Sequence, residues 1–325
     1  MVDGKIRLER KQTAIQFIST KGVWEEEQKE IISIIRDYFE KIENLEYYYI
    51  GWVFGKYDIV IEFCLEDAKV ASYHACKIQE KIDKFNERKD KGRKIYSTLS
   101  LSRRVGMETG NSNDFIRKPK GAIVAYVFMN IRYQLGEQNL QHLLKDILYN
   151  LRSLEEDSET RIELFWNAST YFLLLRINGN CYNRIYKELI EFKKLMKGLV
   201  LETCSYFVLR YDESIGETTS DTRASVDIPA IMYVKMKQFS AQEERELRDK
   251  RLRISEDWYS TWFYSSGSIP EHFGSHMRKP GWHDVILGIR KGTLKEILQA
   301  ILRFKHINKE LIHHTSTYTL FMEEG

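Results

Sequence analysis

Two short runs place a glycine and an aspartate around an aromatic ring, Gly55-Lys-Tyr57-Asp58 and Gly281-Trp-His283-Asp284. Each leads into an apolar stretch, Ile-Val-Ile after the first and Val-Ile-Leu after the second. The glycine permits a positive φ in a turn, and the aspartate can accept hydrogen bonds from backbone N–H groups there. Such a run is first of all a hairpin device. Its further chemistry is binding: backbone donors beside a carboxylate suit the ammonium or hydroxyl of a small ligand.

Other reactive residues are scattered. His272, His276, His283 and Asp284 crowd one stretch, but their spacing matches no known ligand pattern, and the flanking Pro270, Gly274, Pro280 and Gly281 point to an irregular loop, so no metal is expected. Phosphate-binding loops, nucleophile elbows and His-Glu-x-x-His helices are missing from the sequence, and nothing pairs an acid with a base; the expectation is a non-catalytic chain without a cofactor. Basic clusters occur at 88–94, at Arg103-Arg104, at 117–120 and at 245–253. Against them stands a net charge of only +3, from 50 basic and 47 acidic side chains, which does not suit wholesale nucleic-acid binding.

The elements that must position these residues repeat. An Ala-Ile pair opens a hydrophobic run at Ala14-Ile15, Ala122-Ile123 and Ala230-Ile231, twice at a separation of 108 in a chain of 325. The first third reads as strand 13–20, helix 25–42, strands 47–54 and 58–64, helix 67–87 and strand 95–103. The second repeats the order with strand 123–131, helix 137–154, strands 161–166 and 171–177, helix 182–197 and strand 200–210. In the third the strands are 231–238, 258–264, 284–289 and 313–321, with helices at 241–252 and 293–308 and an inserted loop at 265–279. Polar stretches at 111–120 and 214–227 mark boundaries, giving modules 1–112, 113–222 and 223–325. The fold class expected is α+β: three tandem ferredoxin-like βαββαβ modules with antiparallel sheets packed sheet to sheet.

That packing follows from the strands. A sheet with one wet face alternates apolar and polar residues, yet 122–129 is apolar at every position. Both faces therefore need cover, and three sheets leave one without a partner in its own chain. A homodimer or larger homo-oligomer is expected. The charged start of the sequence lacks a secretory signal, the longest apolar runs fall well short of the ~20 residues of a membrane helix, and four scattered cysteines form no disulfide framework. A soluble cytoplasmic protein with no membrane contact is the expectation.

The Gly-x-aromatic-Asp turns, with Ser97-Thr98-Leu-Ser100 and Thr315-Ser-Thr317-Tyr-Thr in the final strands, resemble the effector-binding module of the Lrp/AsnC transcription regulators. The resemblance covers nearly the whole chain as three copies, without room for the family's helix-turn-helix domain. It implies sheets packed between subunits and a small effector, an amino acid or nucleotide, held near Gly55, Tyr57, Asp58, Gly281, His283 and Asp284, with Thr98 and Thr317 on the adjoining strands. The middle module has Asn167-Ala-Ser-Thr-Tyr171 at the turn and lacks both motif residues. The function implied is a regulatory, non-catalytic small-metabolite sensor. Ferredoxin-like sheets also serve as RNA-recognition modules, and tandem units resemble the RNA-processing proteins of CRISPR systems, so RNA or single-stranded DNA binding is the alternative. A structural assembly subunit is the third.

Overall fold

The computed structural model of the chain describes residues 6–20, 25–54, 57–89, 95–107, 119, 121–131, 137–156, 160–167, 172–196, 200–210, 228–236, 258–263, 285–292, 294–308 and 312–319. The first part comprises β1 (Ile6–Leu8), β2 (Gln12–Ser19), α1 (Glu25–Phe39), β3 (Tyr47–Phe54), β4 (Ile59–Leu65), α2 (Ala68–Lys89) and β5 (Tyr96–Met107). The second comprises β6 (Ile123–Ile131), α3 (Glu137–Glu156), β7 (Arg161–Asn167), β8 (Leu173–Gly179), α4 (Tyr182–Leu195) and β9 (Val200–Arg210).

Local chemistry sets these elements. In α1, Ile31, Ile32, Ile35 and Phe39 recur at the three-and-four spacing of one buried face. Asp67 caps α2 by accepting the Val70 N–H at 2.8 Å, which satisfies a donor in the open first turn. Asn44 takes a left-handed φ of 62° between α1 and β3, a conformation asparagine tolerates better than most residues.

The strands close on themselves. Their order is β5-β2-β4-β3-β9-β6-β8-β7, and β7 pairs back to β5 through Ser102↔Asn167 to Arg104↔Phe165, with β1 added on the far end of β5. Each of these pairings is antiparallel. The fold is thus α+β with a closed antiparallel barrel, and the expectation of two sheets stacked face to face is corrected: the halves join edge to edge through β3–β9 and β5–β7. Closure removes exposed strand edges. It also explains why strands such as β6 are apolar on both faces, one toward the helices and one toward the barrel interior. Gly51 serves the β3–β9 seam, since a Cβ there would overlap Val208 and stand 2.9 Å from the Leu209 carbonyl oxygen.

Two cores result. Ala14, Ile18, Ile31, Ile61 and Phe63, with their counterparts Ala125, Val127, Leu175 and Ile185, belong to the layer between strands and helices. Ile15, Phe17, Tyr49, Val60, Tyr126, Phe128, Phe165 and Leu174 form the barrel interior.

A separate four-stranded antiparallel sheet follows, from β10 (Ile228–Met236), β11 (Trp258–Phe263), β12 (Val285–Gly292) and β13 (Ile312–Thr319), in the order β11-β12-β10-β13. Helix α5 (Leu294–Ile307) lies on it with Ile297, Ala300, Ile301 and Phe304 buried. The helix expected at 241–252 and the loop at 265–279 lie outside the described residues. No described helix is long and apolar enough to cross a membrane.

Candidate functional site

The turn between β3 and β4 carries Tyr57 and Asp58 into the junction of the barrel with the third unit. Backbone bonds from Val53 N–H to the Asp58 carbonyl (3.0 Å) and from Asp58 N–H to the Ile18 carbonyl (2.9 Å) fix it in place. Asp58 Oδ2 accepts the Thr20 N–H at 2.7 Å and the Thr20 hydroxyl at 3.0 Å. Its Oδ1 accepts from Lys305 Nζ of α5 at 2.8 Å, an ion pair in which both side chains are largely buried. The Tyr57 ring packs on Phe17 and Tyr206, with centroids 5.2 and 5.6 Å away, and plugs the barrel end.

Beyond Thr20 the relay continues. Thr20 gives its one hydroxyl proton to Asp58, so its oxygen accepts from Gln28 Nε2 of α1 at 2.6 Å. The amide of Gln28 is thereby oriented, and its Oε1 is buried without a hydrogen-bond partner. A cleft opens at this point, walled by Trp52, Phe54, Leu298, Ile301 and Leu302 and bordered by Asp58 and Lys305. It is small, with about 20 Å³ of space, enough for a water.

A second polar cluster fills the middle of the barrel. Arg176 of β8 is fully buried, as is Glu62 of β4, and Glu163 of β7 is nearly so. The Arg176 guanidinium donates to both carboxylates, with Nε at 3.0 Å from Glu163 Oε2, and stacks over Phe165 at 5.0 Å. Glu62 also accepts from the hydroxyls of Tyr47 and Tyr126, each at 2.6 Å, while Arg161 reaches Glu163 at 2.8 Å and Arg104 at 3.5 Å. Burial raises the Glu62 carboxyl above the usual glutamate range, despite Arg176 and the two tyrosines. Burial acts on Glu163 in the same sense, but Arg176, Arg161 and Arg104 together outweigh it and hold that carboxyl below its usual range.

No protein-family model matches the chain, and no curated protein does. Several solved structures are similar to part of it. A heme-binding protein from Thermus thermophilus is 16% identical over 65% of this chain and 94% of its own, with a TM-score of 0.48. A mutant chlorite dismutase from Candidatus Nitrospira defluvii, solved with cyanide, is 6% identical over 62% of this chain and 91% of its own, with a TM-score of 0.42. A proposed monooxygenase from Fusobacterium nucleatum is 10% identical over 65% and 94%, with a TM-score of 0.43.

The likeness to Lrp/AsnC effector modules is corrected. The first two sheets close on each other into one barrel within one chain rather than packing between subunits. The regulatory amino-acid or nucleotide sensor falls with it. Asp58, the acceptor expected for a ligand ammonium, is already engaged by Thr20 and Lys305. Thr98 is an exposed residue of β5 paired with Phe17, and Thr317 pairs with Met232 in β13. Gly55, Gly281, His283 and Asp284 lie outside the described residues.

In the barrel, Phe17, Tyr49, Tyr126 and Phe128 face the closed interior and offer nucleic-acid bases no stacking surface, and Arg103 and Arg104 bond Gln12 at 3.3 Å and Glu9 at 3.1 Å. Sequence reasoning missed Thr20, Gln28 and Lys305, whose types carry no signal of their own. It also missed Glu62, Glu163 and Arg176, which do carry one: each stands between two apolar neighbours in its strand.

Proposed function

We propose that the chain works as a homodimer, with the barrel as a rigid body closed within each copy and the third sheet as the face that joins two copies. The reading rests on one observation. The strand order β11-β12-β10-β13 repeats, from its other edge, the orders β5-β2-β4-β3 and β9-β6-β8-β7 of the two barrel halves. Those two halves join at their edges into one barrel, whose closure covers their inner faces. The third has α5 on one side, and the positions alternating with buried Ala230, Met232 and Val234 in β10 are Ile231, Tyr233 and Lys235. An apolar sheet of matching topology is the natural cover, and a second copy of this chain supplies it. On this reading the chain consists of three ferredoxin-like modules at 1–112, 113–222 and 223–325, in a cytoplasmic protein.

Heme, which the first of the similar structures binds by its description, does not fit the described residues. It needs a wide apolar slot and an axial side chain such as histidine. The layer between β6–β9 and their helices is filled by Val127, Ile147, Leu175, Ile185 and Leu189, all buried. His74 is bound to the Tyr38 hydroxyl at 2.8 Å, and His142 and His306 are exposed. None of these three histidines faces a slot of that size.

The test is the mass of the full chain by light scattering at micromolar concentration, repeated with Ile231→Glu. A dimer that becomes a monomer on this substitution supports the proposal, and a monomeric wild type overturns it.

A further inference from the structure

The two seams of the barrel follow one pairing pattern. In each half the strand after the first helix joins the last strand of the other half: β3 pairs with β9, and β7 with β5. The register agrees as well. Trp52 and Trp166 pair with the first residue of the strand that follows, Ile59 and Leu173, and across the seams they face Leu209 and Arg103. Each of those lies two residues beyond the one opposite an alanine of the opening strand, Phe207 opposite Ala125 and Leu101 opposite Ala14. One register at both seams relates the halves by a two-fold rotation.

In the third sheet β11 corresponds to β3 and β7, and β13 to β5 and β9. Among the described residues β11 pairs with β12 alone and β13 with β10 alone, so these strands are the edges. They are the complementary kinds, yet two strands stand between them in their own sheet. We infer that two copies of the chain close their four-stranded third sheets into a second barrel, β11 of each copy pairing antiparallel with β13 of the other. The inference rests on the homodimer proposed above and specifies its contact.

The strand register carries over. Phe263 pairs with Val285, the first residue of β12, as Trp52 does with Ile59. Thr319 lies opposite Ala230 as Phe207 does opposite Ala125. The seam therefore brings Phe263 of one copy to the end of β13 that carries Thr319 in the other. The contact of β13 with its own barrel uses the other end of that strand: Thr315, at the junction cleft, is about 13 Å from Thr319 along a strand. The inner face agrees too. Ile15 and Tyr126, which follow Ala14 and Ala125, belong to the barrel interior, and Ile231 follows Ala230. Stacking the two sheets face to face would leave their edges open, including the aromatic strand Trp-Tyr-Ser-Thr-Trp-Phe of β11. Closure pairs every one of them.

Crosslinking of the full chain tests the seam. Phe263 and the partner copy's Thr319 would form a diagonal cross-strand pair, about 7–8 Å apart. Within one chain three strand spacings, about 14 Å, separate them. The double variant Phe263→Cys with Thr319→Cys, treated with a short bismaleimide, is expected to give a covalent dimer several-fold above the unsubstituted chain, while either single variant stays at that background. A second reading uses the wild type. Val53 donates its N–H to Asp58 within the β3–β4 pair, so the Trp52 N–H points to the seam, and that of Phe263 would do the same. Its hydrogen exchange is expected to be about tenfold slower in wild type than in Ile231→Glu. Dimers that fail to crosslink in the double variant, single variants that crosslink as well as the double, or equal Phe263 exchange in wild type and Ile231→Glu would each overturn the closed barrel and leave the dimer standing. A monomeric wild type would overturn both.

Discussion

Arg176 of β8 reaches across the barrel to Glu62 of β4, so one buried ion pair ties the second half of the barrel to the first. The cross-strand neighbour of Arg176, Glu163, holds the guanidinium from its own half. Hydrophobic packing alone would tolerate a slipped register between the halves. A buried charge with fixed partners does not, because any shift strands it without compensation.

Removing the cation shows how much the cluster carries. Arg176→Met leaves two carboxylates in the barrel interior and is expected to cost about 3–5 kcal/mol, as breaking a buried pair does. Urea unfolding of the full chain measures it.

The two carboxylates oppose each other in their pH dependence. Glu62 is raised in the folded state, so its contribution is complete below about pH 4.3, the ordinary glutamate value, and is lost as pH rises through the raised value. Glu163 is depressed, so its contribution is complete above about pH 4.3 and is lost as pH falls through the depressed value. Glu62→Gln should therefore abolish a gain in stability that the wild type shows on going from neutrality toward that pH. Glu163→Gln should blunt the loss at lower pH. Unfolding free energies across the range check both, and superimposable curves for the three proteins would refute the assignment.

Two buried tyrosines of the barrel interior should respond in opposite directions. The Tyr49 hydroxyl is buried without a hydrogen-bond partner, so Tyr49→Phe is expected to raise stability by about 1 kcal/mol. The Tyr126 hydroxyl donates to Glu62 at 2.6 Å. Tyr126→Phe is expected to cost about 1.5–3 kcal/mol, the range for a hydrogen bond to a charged group. Thermal and urea unfolding of the pair decide it.

At the junction, Asp58→Ala removes the Thr20 bonds and the Lys305 pair together. A loss of about 1–3 kcal/mol is expected, with faster amide exchange in α5 than in α2. Asp58→Asn, which keeps an acceptor for Thr20 and drops the charge, should lose less and still loosen α5. Hydrogen exchange resolved by helix reads the difference.

Much of the fold was legible because periodicity and repeat length are local signals. The Ala14, Ala122 and Ala230 runs marked three opening strands, and Ile123–Ile131 showed that both its faces need cover. Closure was not legible. Whether two sheets stack or join at their edges depends on strand ends, and the Gly51 approach to Val208 that admits β9 beside β3 has no motif. The site was half legible. Asp58 announced a turn, and it does brace one, but what its carboxylate binds was decided by Thr20 and by Lys305, 247 residues away in sequence. The charged interruptions at Glu62, Glu163 and Arg176 were visible in their strands. Their meaning needed the barrel, since a charge inside an apolar strand has no assigned partner until the opposite strands are placed.

The self-association claim is met most directly by light scattering on the full chain at micromolar concentration. The account predicts a particle of twice the 38.6 kDa chain mass, falling to a single chain in Ile231→Glu while the barrel's unfolding transition stays unchanged. A wild-type particle of one chain mass throughout that range would contradict it.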